Sequence, residues 1–263
     1  MKARVVSFAS GARWMAEGWR LFRVSPGLWL LIALAYWLIL LVAVNVRVVG
    51  FAIWFLNPAL AVGILALSRG CERHGRMDIG LLLEGFRVRP KSQLVLGLVH
   101  VAFLALLIGA MALVAGESVS PSSLGGRTPD AAAQSAELAS LLVTGSVLYL
   151  PVLMVFWFAP ALAAWHGMGA AQALFYSFFA TLLNWRAFGG YALAAMLILI
   201  VIPSVVLSGL LGVTGAKLKG GIPSVVFALF IFIQPTLFAS FYASYRDVFG
   251  GDDGVEKLTP PTG

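Results

Sequence analysis

Between Glu137 and Arg186 the chain carries no Asp, Glu, Lys or Arg. Hydrocarbon is the solvent in which so long a charge-free stretch costs little, because a soluble domain of this size would need a charged shell. Only 11% of the 263 residues are charged, against about 25% in ordinary soluble domains. Apolar runs of roughly 20 residues have the length that a helix needs to cross the hydrocarbon. The expected fold class is all-α, a polytopic bundle of about six transmembrane helices with interfacial amphipathic helices.

Apolar runs approach the roughly 20 residues that cross about 30 Å of hydrocarbon at 28–44, 48–67, 94–115, 138–165, 187–211 and 222–242. The first is short and turns tightly through Asn45, Val46 and Arg47, which leaves open a hairpin that stops short of the far side. One integral domain is expected over 1–246. It includes a flexible periplasmic loop at 117–137, rich in Ser, Gly, Pro and Ala and interrupted by Pro121 and Pro129. Gly, Asp and Pro crowd the chain after Arg246, so 247–263 is expected to be a disordered cytoplasmic tail. Residues 1–10 lack the apolar core and cleavage site of a secretory signal, so this start is expected to be retained.

A net charge of +7 invites a nucleic-acid reading until the cations are placed on the span map. One side receives Lys2, Arg4, Arg13, Arg20, Arg23, Arg69, Arg73, Arg76, Arg87, Arg89, Lys91, Arg186, Arg246 and Lys257; the other receives Arg47, Arg127, Lys217 and Lys219. Lys and Arg collect in loops that stay in the cytoplasm, so both termini are expected inside the cell and the protein in the bacterial inner membrane. Topology accounts for the charge, and no nucleic-acid partner is expected.

The chain passes three times through one order of elements: amphipathic stretch, span, loop, and a second span interrupted by proline. The approximate units are 11–76, 77–169 and 170–246. Their proline segments read Pro58-Ala-Leu-Ala61, Pro160-Ala-Leu-Ala163 and Pro235-Thr-Leu-Phe238, and Glu17-Gly-Trp-Arg20 matches Glu84-Gly-Phe-Arg87. In the first amphipathic stretch Trp14, Met15, Gly18, Trp19 and Phe22 share a face opposite Arg13, Glu17, Arg20 and Arg23, the spacing of a helix lying in the interface. In the second, Ile79, Leu82, Leu83 and Phe86 recur at helical spacing. The third, Leu174, Phe178, Leu182 and Trp185, has the face with almost no charge opposite it.

Three groups of residues are candidates for function. Kinks at Pro58, Pro160 and Pro235 free backbone groups at mid-depth, where Asn57, Gln234 and Tyr149 line a cavity or the two amides satisfy those groups. His100, about a third of the way into the third span, is a further cavity candidate, as a proton relay or as a neutral imidazole bonded between helices. Arg69, Arg73, Arg76, Arg87, Arg89 and Lys91 flank the second amphipathic stretch, a pattern that suits anionic lipid headgroups. Cys71 and His74 stand three apart, but two ligands do not make a structural metal site, so neither metal nor cofactor is expected. Ser208-Gly209 resembles the nucleophile of intramembrane serine proteases, yet the last span offers no histidine to activate it. No His-Glu-x-x-His, Gly-x-Ser-x-Gly or Gly-Lys-Ser motif occurs, and no enzymatic activity is expected.

Trp14-Met-Ala-Glu-Gly-Trp-Arg-Leu-Phe22 with Pro26, Trp29 and Trp37, then Phe158-Ala-Pro-Ala-Leu-Ala-Ala-Trp-His-Gly167 and Asn184-Trp185, resembles an uncharacterised family of multi-span proteobacterial inner-membrane proteins. More distantly the plan is similar to the membrane domain of glycerophosphodiester phosphodiesterases, whose catalytic domain has no counterpart in this sequence. The resemblance implies fold and location and transfers no activity. The expected role is a non-enzymatic membrane protein binding lipid or another membrane protein, with a small-solute or ion transporter as the alternative.

Overall fold

The computed structural model describes residues 3–118, 131–214 and 221–250, and every regular element among them is helical. In order these are α1 (Phe8–Phe22), α2 (Pro26–Asn45), α3 (Arg47–His74), a 3-10 turn (Ile79–Leu83), α4 (Glu84–Arg87), α5 (Pro90–Ser118) and α6 (Ala131–Phe156). There follow α7 (Ala159–Trp165), α8 (Ala170–Leu183), α9 (Trp185–Met196), α10 (Ile202–Thr214) and α11 (Gly221–Phe249). Five stretches among the described residues are long and apolar enough to cross a membrane: Pro26–Asn45, Arg47–His74, Pro90–Leu113, Ala139–Trp165 and Trp185–Val213. The run expected at 222–242 falls on α11, which is helical throughout although the side chains of 221–228 lie outside the described residues.

The prolines act differently from one another. Pro58 and Pro235 sit inside continuous helices of 28 and 29 residues, whereas the helix breaks between α6 and α7 just ahead of Pro160. Another interruption is a π turn at Leu197–Val201 between α9 and α10. Pro203 lies just beyond it; a proline has no N–H and crowds the carbonyl one turn back, and a wide π turn absorbs that mismatch.

Three boundaries differ from the sequence expectation. Part of the expected loop 117–137 is helix, because α5 runs to Ser118 and α6 starts at Ala131. The run Ala131-Ala-Ala-Gln-Ser-Ala136 holds good helix formers and no Gly or Pro. The rest of that loop, 119–130, lies outside the described residues. Of the expected tail 247–263, Asp247 to Phe249 belong to α11 instead, and Asp247 accepts a hydrogen bond from Trp14 Nε1 at 2.9 Å; 251–263 lie outside the described residues. The second amphipathic stretch is a 3-10 turn followed by one α turn, with the Asp78 carboxylate capping Gly80 N–H at 2.9 Å and Pro90 soon ending the segment.

Burial is concentrated at one end of the bundle. In α2 only Trp29 and Ala33 are buried, while the ends of α3, α7 and α11 that carry Cys71, Leu162 and Val248 are sealed. Here α1 packs across α9 and α11, the 3-10 turn and α4 lie on α3, and α8 lies on α6 and α7. Trp14, Met15, Leu21 and Phe22 of α1 are buried by these neighbours, so its apolar face is used within the protein. Trp19, expected on that face, is 41% exposed and stacks on Phe22 instead.

Candidate functional site

The sealed end is built where three short segments meet returning helices at their prolines. A side chain at Gly18 would strike the carbonyl of Thr236, next to Pro235, and one at Gly85 would strike the carbonyl of Ala59, next to Pro58. Only the absence of a Cβ lets these backbones come so close. At the α8 crossing the contact residue is Ser177. Its hydroxyl accepts from Phe158 N–H at 2.9 Å and donates to Met154 carbonyl at 2.9 Å, splicing the helical bond that is broken ahead of Pro160.

Two of the crossings are also ionic. Glu84, the residue before Gly85, accepts from Arg69 at 2.6 Å and from Trp165 Nε1 at 2.7 Å, and the Arg69 guanidinium lies 4.2 Å from the Trp165 ring centroid. Glu17, the residue before Gly18, pairs with Arg20 at 2.7 Å and with Arg246 at 3.4 Å. Both arginines also reach Glu72 on α3, which accepts from Tyr242 hydroxyl at 2.8 Å as well. Partial burial pushes the Glu17 carboxyl up, but Arg20 and Arg246 together outweigh it and hold it below the ordinary carboxylate range. Arg246 stands as far beyond Pro235 as Arg69 does beyond Pro58.

Of the expected lipid-contacting cations, Arg69 is turned into the Glu84 pair and is mostly buried. Arg73, Arg76, Arg87, Arg89 and Lys91 are exposed at the same end. Arg89 adopts left-handed backbone at φ 51°, and its guanidinium lies against Gly167 beyond the end of α7. Between these cations Ile79, Leu83 and Phe86 expose their side chains, Leu83 by 50%.

The mid-depth residues differ in burial and in their partners. His100 is buried and its Nδ1 lies 2.9 Å from the carbonyl of Trp54, the carbonyl four residues before Pro58 that the proline leaves without a donor. That carbonyl can only accept, so Nδ1 carries the proton. Gln234 is buried and accepts from Trp37 Nε1 at 2.6 Å, joining α11 to α2. Tyr149 is half-buried on α6 near Tyr36, and Asn57 is exposed beside the buried Pro58. Pro160 carbonyl accepts from Gln93 Nε2 at 2.9 Å. Among the described residues no three of His, Cys, Asp and Glu gather closely enough to hold a metal ion.

Several structural determinants escaped the sequence reading. Asn184 is buried; its side chain accepts from Val6 N–H at 2.8 Å and donates to Arg4 carbonyl at 3.0 Å, fastening the extended N-terminal segment at the α8–α9 corner. Arg4 N–H then bonds Val248 carbonyl at 2.8 Å, so the start of the chain is tied to the end of α11. His166 and Tyr245 meet at 2.5 Å. Each of these pairs is separated by most of a repeat or more, and no local pattern announces it.

The chain is 31% identical over 263 residues to a protein of Burkholderia thailandensis described as a "probable inner membrane protein", with 96% of each chain covered. No family model matches the sequence. No solved structure matches it either.

Proposed function

This chain belongs to the family of that inner membrane protein, and on this premise we propose that it is a non-enzymatic, multi-pass membrane protein whose basic end binds anionic phospholipid headgroups. The observation that carries the reading is the pairing of exposed Arg76, Arg87, Arg89 and Lys91 with exposed Ile79, Leu83 and Phe86 on one short segment. Positive-inside bias requires only the cations. Apolar side chains standing among them fit a surface where headgroup phosphates lie above acyl chains, with attraction of about 1 kcal/mol per charge. In this reading the basic end and both termini face the cytoplasm, and three related two-span units build the bundle. The repeated Gly-at-proline contacts at Gly18 and Gly85, and the repeated Glu–Arg pairs, support those units.

Transport between the units calls instead for a polar path at mid-depth, where His100 and Gln234 each make an interhelical bond. The test is gentle-detergent purification followed by native mass spectrometry of bound lipid. Phosphatidylglycerol or cardiolipin is expected on the wild type, and several-fold less on a variant with Arg76, Arg87, Arg89 and Lys91 all changed to Gln. Equal retention of anionic and zwitterionic lipid by both proteins would overturn the proposal, and recovery of a stoichiometric protein in place of lipid would replace it.

A further inference from the structure

The three short crossing segments differ in what they turn outward. On α1 the exposed positions include Arg13 and Arg20, with Arg23 just past its end, and on α4 Arg87, all suited to water and headgroups. The outward side of α8 carries Phe175, Phe179, Leu182 and Leu183, with Phe175 61% exposed and its ring 4.6 Å from that of Phe179. From Gly167 to Trp185 the sequence has no charged residue.

Of the polar side chains of α8, Ser177 and Thr181 are turned inward, Tyr176 is half-buried, and Gln172 in the first turn is exposed. Ser177 bridges Phe158 and Met154, and Thr181 donates to Ser177 carbonyl at 2.8 Å and is itself buried. Asn184, at the C-terminal end, is buried against the N-terminal segment. Past that end Trp185 is 64% exposed with the Arg186 guanidinium 5.5 Å from its ring centroid, a pair of side chains typical of headgroup depth. At 14 residues and about 1.5 Å of rise per residue, α8 is too short to cross a bilayer.

We infer that α8 is a monotopic insertion lying within the acyl chains of the leaflet at the basic end, deeper than α1 or α4, with lipid hydrocarbon as its partner. Hydrocarbon asks for a surface with few unmatched donors or acceptors, and the inward turn of Ser177, Thr181 and Asn184 leaves the outer side after Gln172 almost wholly apolar. A protein partner is normally recognised through several polar or charged handles as well, and the outward side of α8 after Gln172 offers no charge and at most the half-buried Tyr176 hydroxyl. The inference is independent of the headgroup proposal, since it uses none of the basic rim.

Depth-dependent quenching tests it on the full chain in proteoliposomes. In a Cys71→Ser background, single cysteines at Phe179→Cys, Phe175→Cys and Arg20→Cys carry an environment-sensitive fluorophore. The probes at 179 and 175 are expected to be quenched several-fold more by lipids brominated along the acyl chain than the probe at 20, and to be shielded from aqueous iodide. Two α8 positions guard against one variant that fails to fold. Iodide quenching at 175 and 179 equal to that at 20 would place α8 in water and overturn the inference. Shielding from both quenchers would overturn it in favour of a protein partner or a second copy.

Discussion

The α4 crossing and the α8 crossing solve one problem with opposite chemistry. In each, a short segment lies across a helix beside a proline, where the backbone is exposed or incomplete. At α4 a glycine lets two backbones touch, and the Arg69–Glu84–Trp165 cluster closes the contact with charge. At α8 the hydroxyl of Ser177 replaces a missing helical bond, and the segment can form no ion pair because it has no charged residue. The difference follows from where each segment's outer side can reside. Charge is affordable where water or headgroups lie within reach, while hydroxyls that bond backbone leave nothing polar to face hydrocarbon.

Substitution at the contact residues separates the two designs most sharply. Gly85→Leu and Gly18→Leu force side-chain atoms onto the carbonyls of Ala59 and Thr236, with an expected loss of about 3 kcal/mol each and a lower unfolding midpoint in detergent. Ser177→Ala removes volume without a clash but strands Phe158 N–H and leaves Met154 carbonyl to the longer Thr181 hydroxyl contact at 3.3 Å, for an expected loss of about 2 kcal/mol. His100→Ala strands the Trp54 carbonyl in the same manner and is expected to cost about 2 kcal/mol. A Ser177→Ala protein that melts with the wild type would show that the spliced bond is unimportant and that α8 is held by apolar contact alone.

Acid should loosen one crossing and spare the other. Glu84→Gln, which leaves Arg69 half-matched, is expected to cost about 1.5 kcal/mol after discounting for partial solvent access. Glu17 has its folded pKa held below the ordinary range, so its contribution to stability is complete above the unfolded value and is lost as pH falls through the lower folded value. Hydrogen exchange followed from pH 7 down to about pH 3 should therefore show faster opening of α1, after correction for intrinsic exchange rates, with α8 unchanged. Equal acid sensitivity in both segments would remove the distinction between ionic and hydroxyl crossings.

The spans were legible because apolar runs of membrane length have few other uses, and α2, α3 and α5 fall on the expected stretches. The face of α1 was legible in its period, but the period says nothing of what covers the face. Lipid and α9–α11 are equally apolar, and Leu21 is sealed against the protein where Trp19 was expected. The partner of Pro58 was illegible for a different reason. Asn57, the adjacent amide, is exposed, while His100 reaches the orphaned carbonyl from another helix 46 positions away from Trp54. Glu72 and Arg246 are 174 positions apart, and charge pairing over that distance is a property of the closed bundle. The exposed cations at Arg76, Arg87, Arg89 and Lys91 needed no such closure, since exposure is what a loop cation has by default.

The smallest effect probes redundancy within the α1 crossing. Arg20 contacts Glu17 and Glu72, but Arg246 contacts the same two carboxylates from α11 and is less exposed, 28% against 48%. Removing Arg20 leaves both acids matched, so Arg20→Ala is expected to cost no more than about 0.5 kcal/mol, the range of an exposed pair. Removing Arg246 leaves them to the more hydrated and mobile guanidinium, a larger loss. If the two arginines share one task, the double variant Arg20→Ala with Arg246→Ala loses more stability than the sum of the single variants, because only then do Glu17 and Glu72 face each other unscreened. Strict additivity would mean that each arginine acts alone and that the charged crossing is two local pairs, weakening its contrast with the single hydroxyl at Ser177.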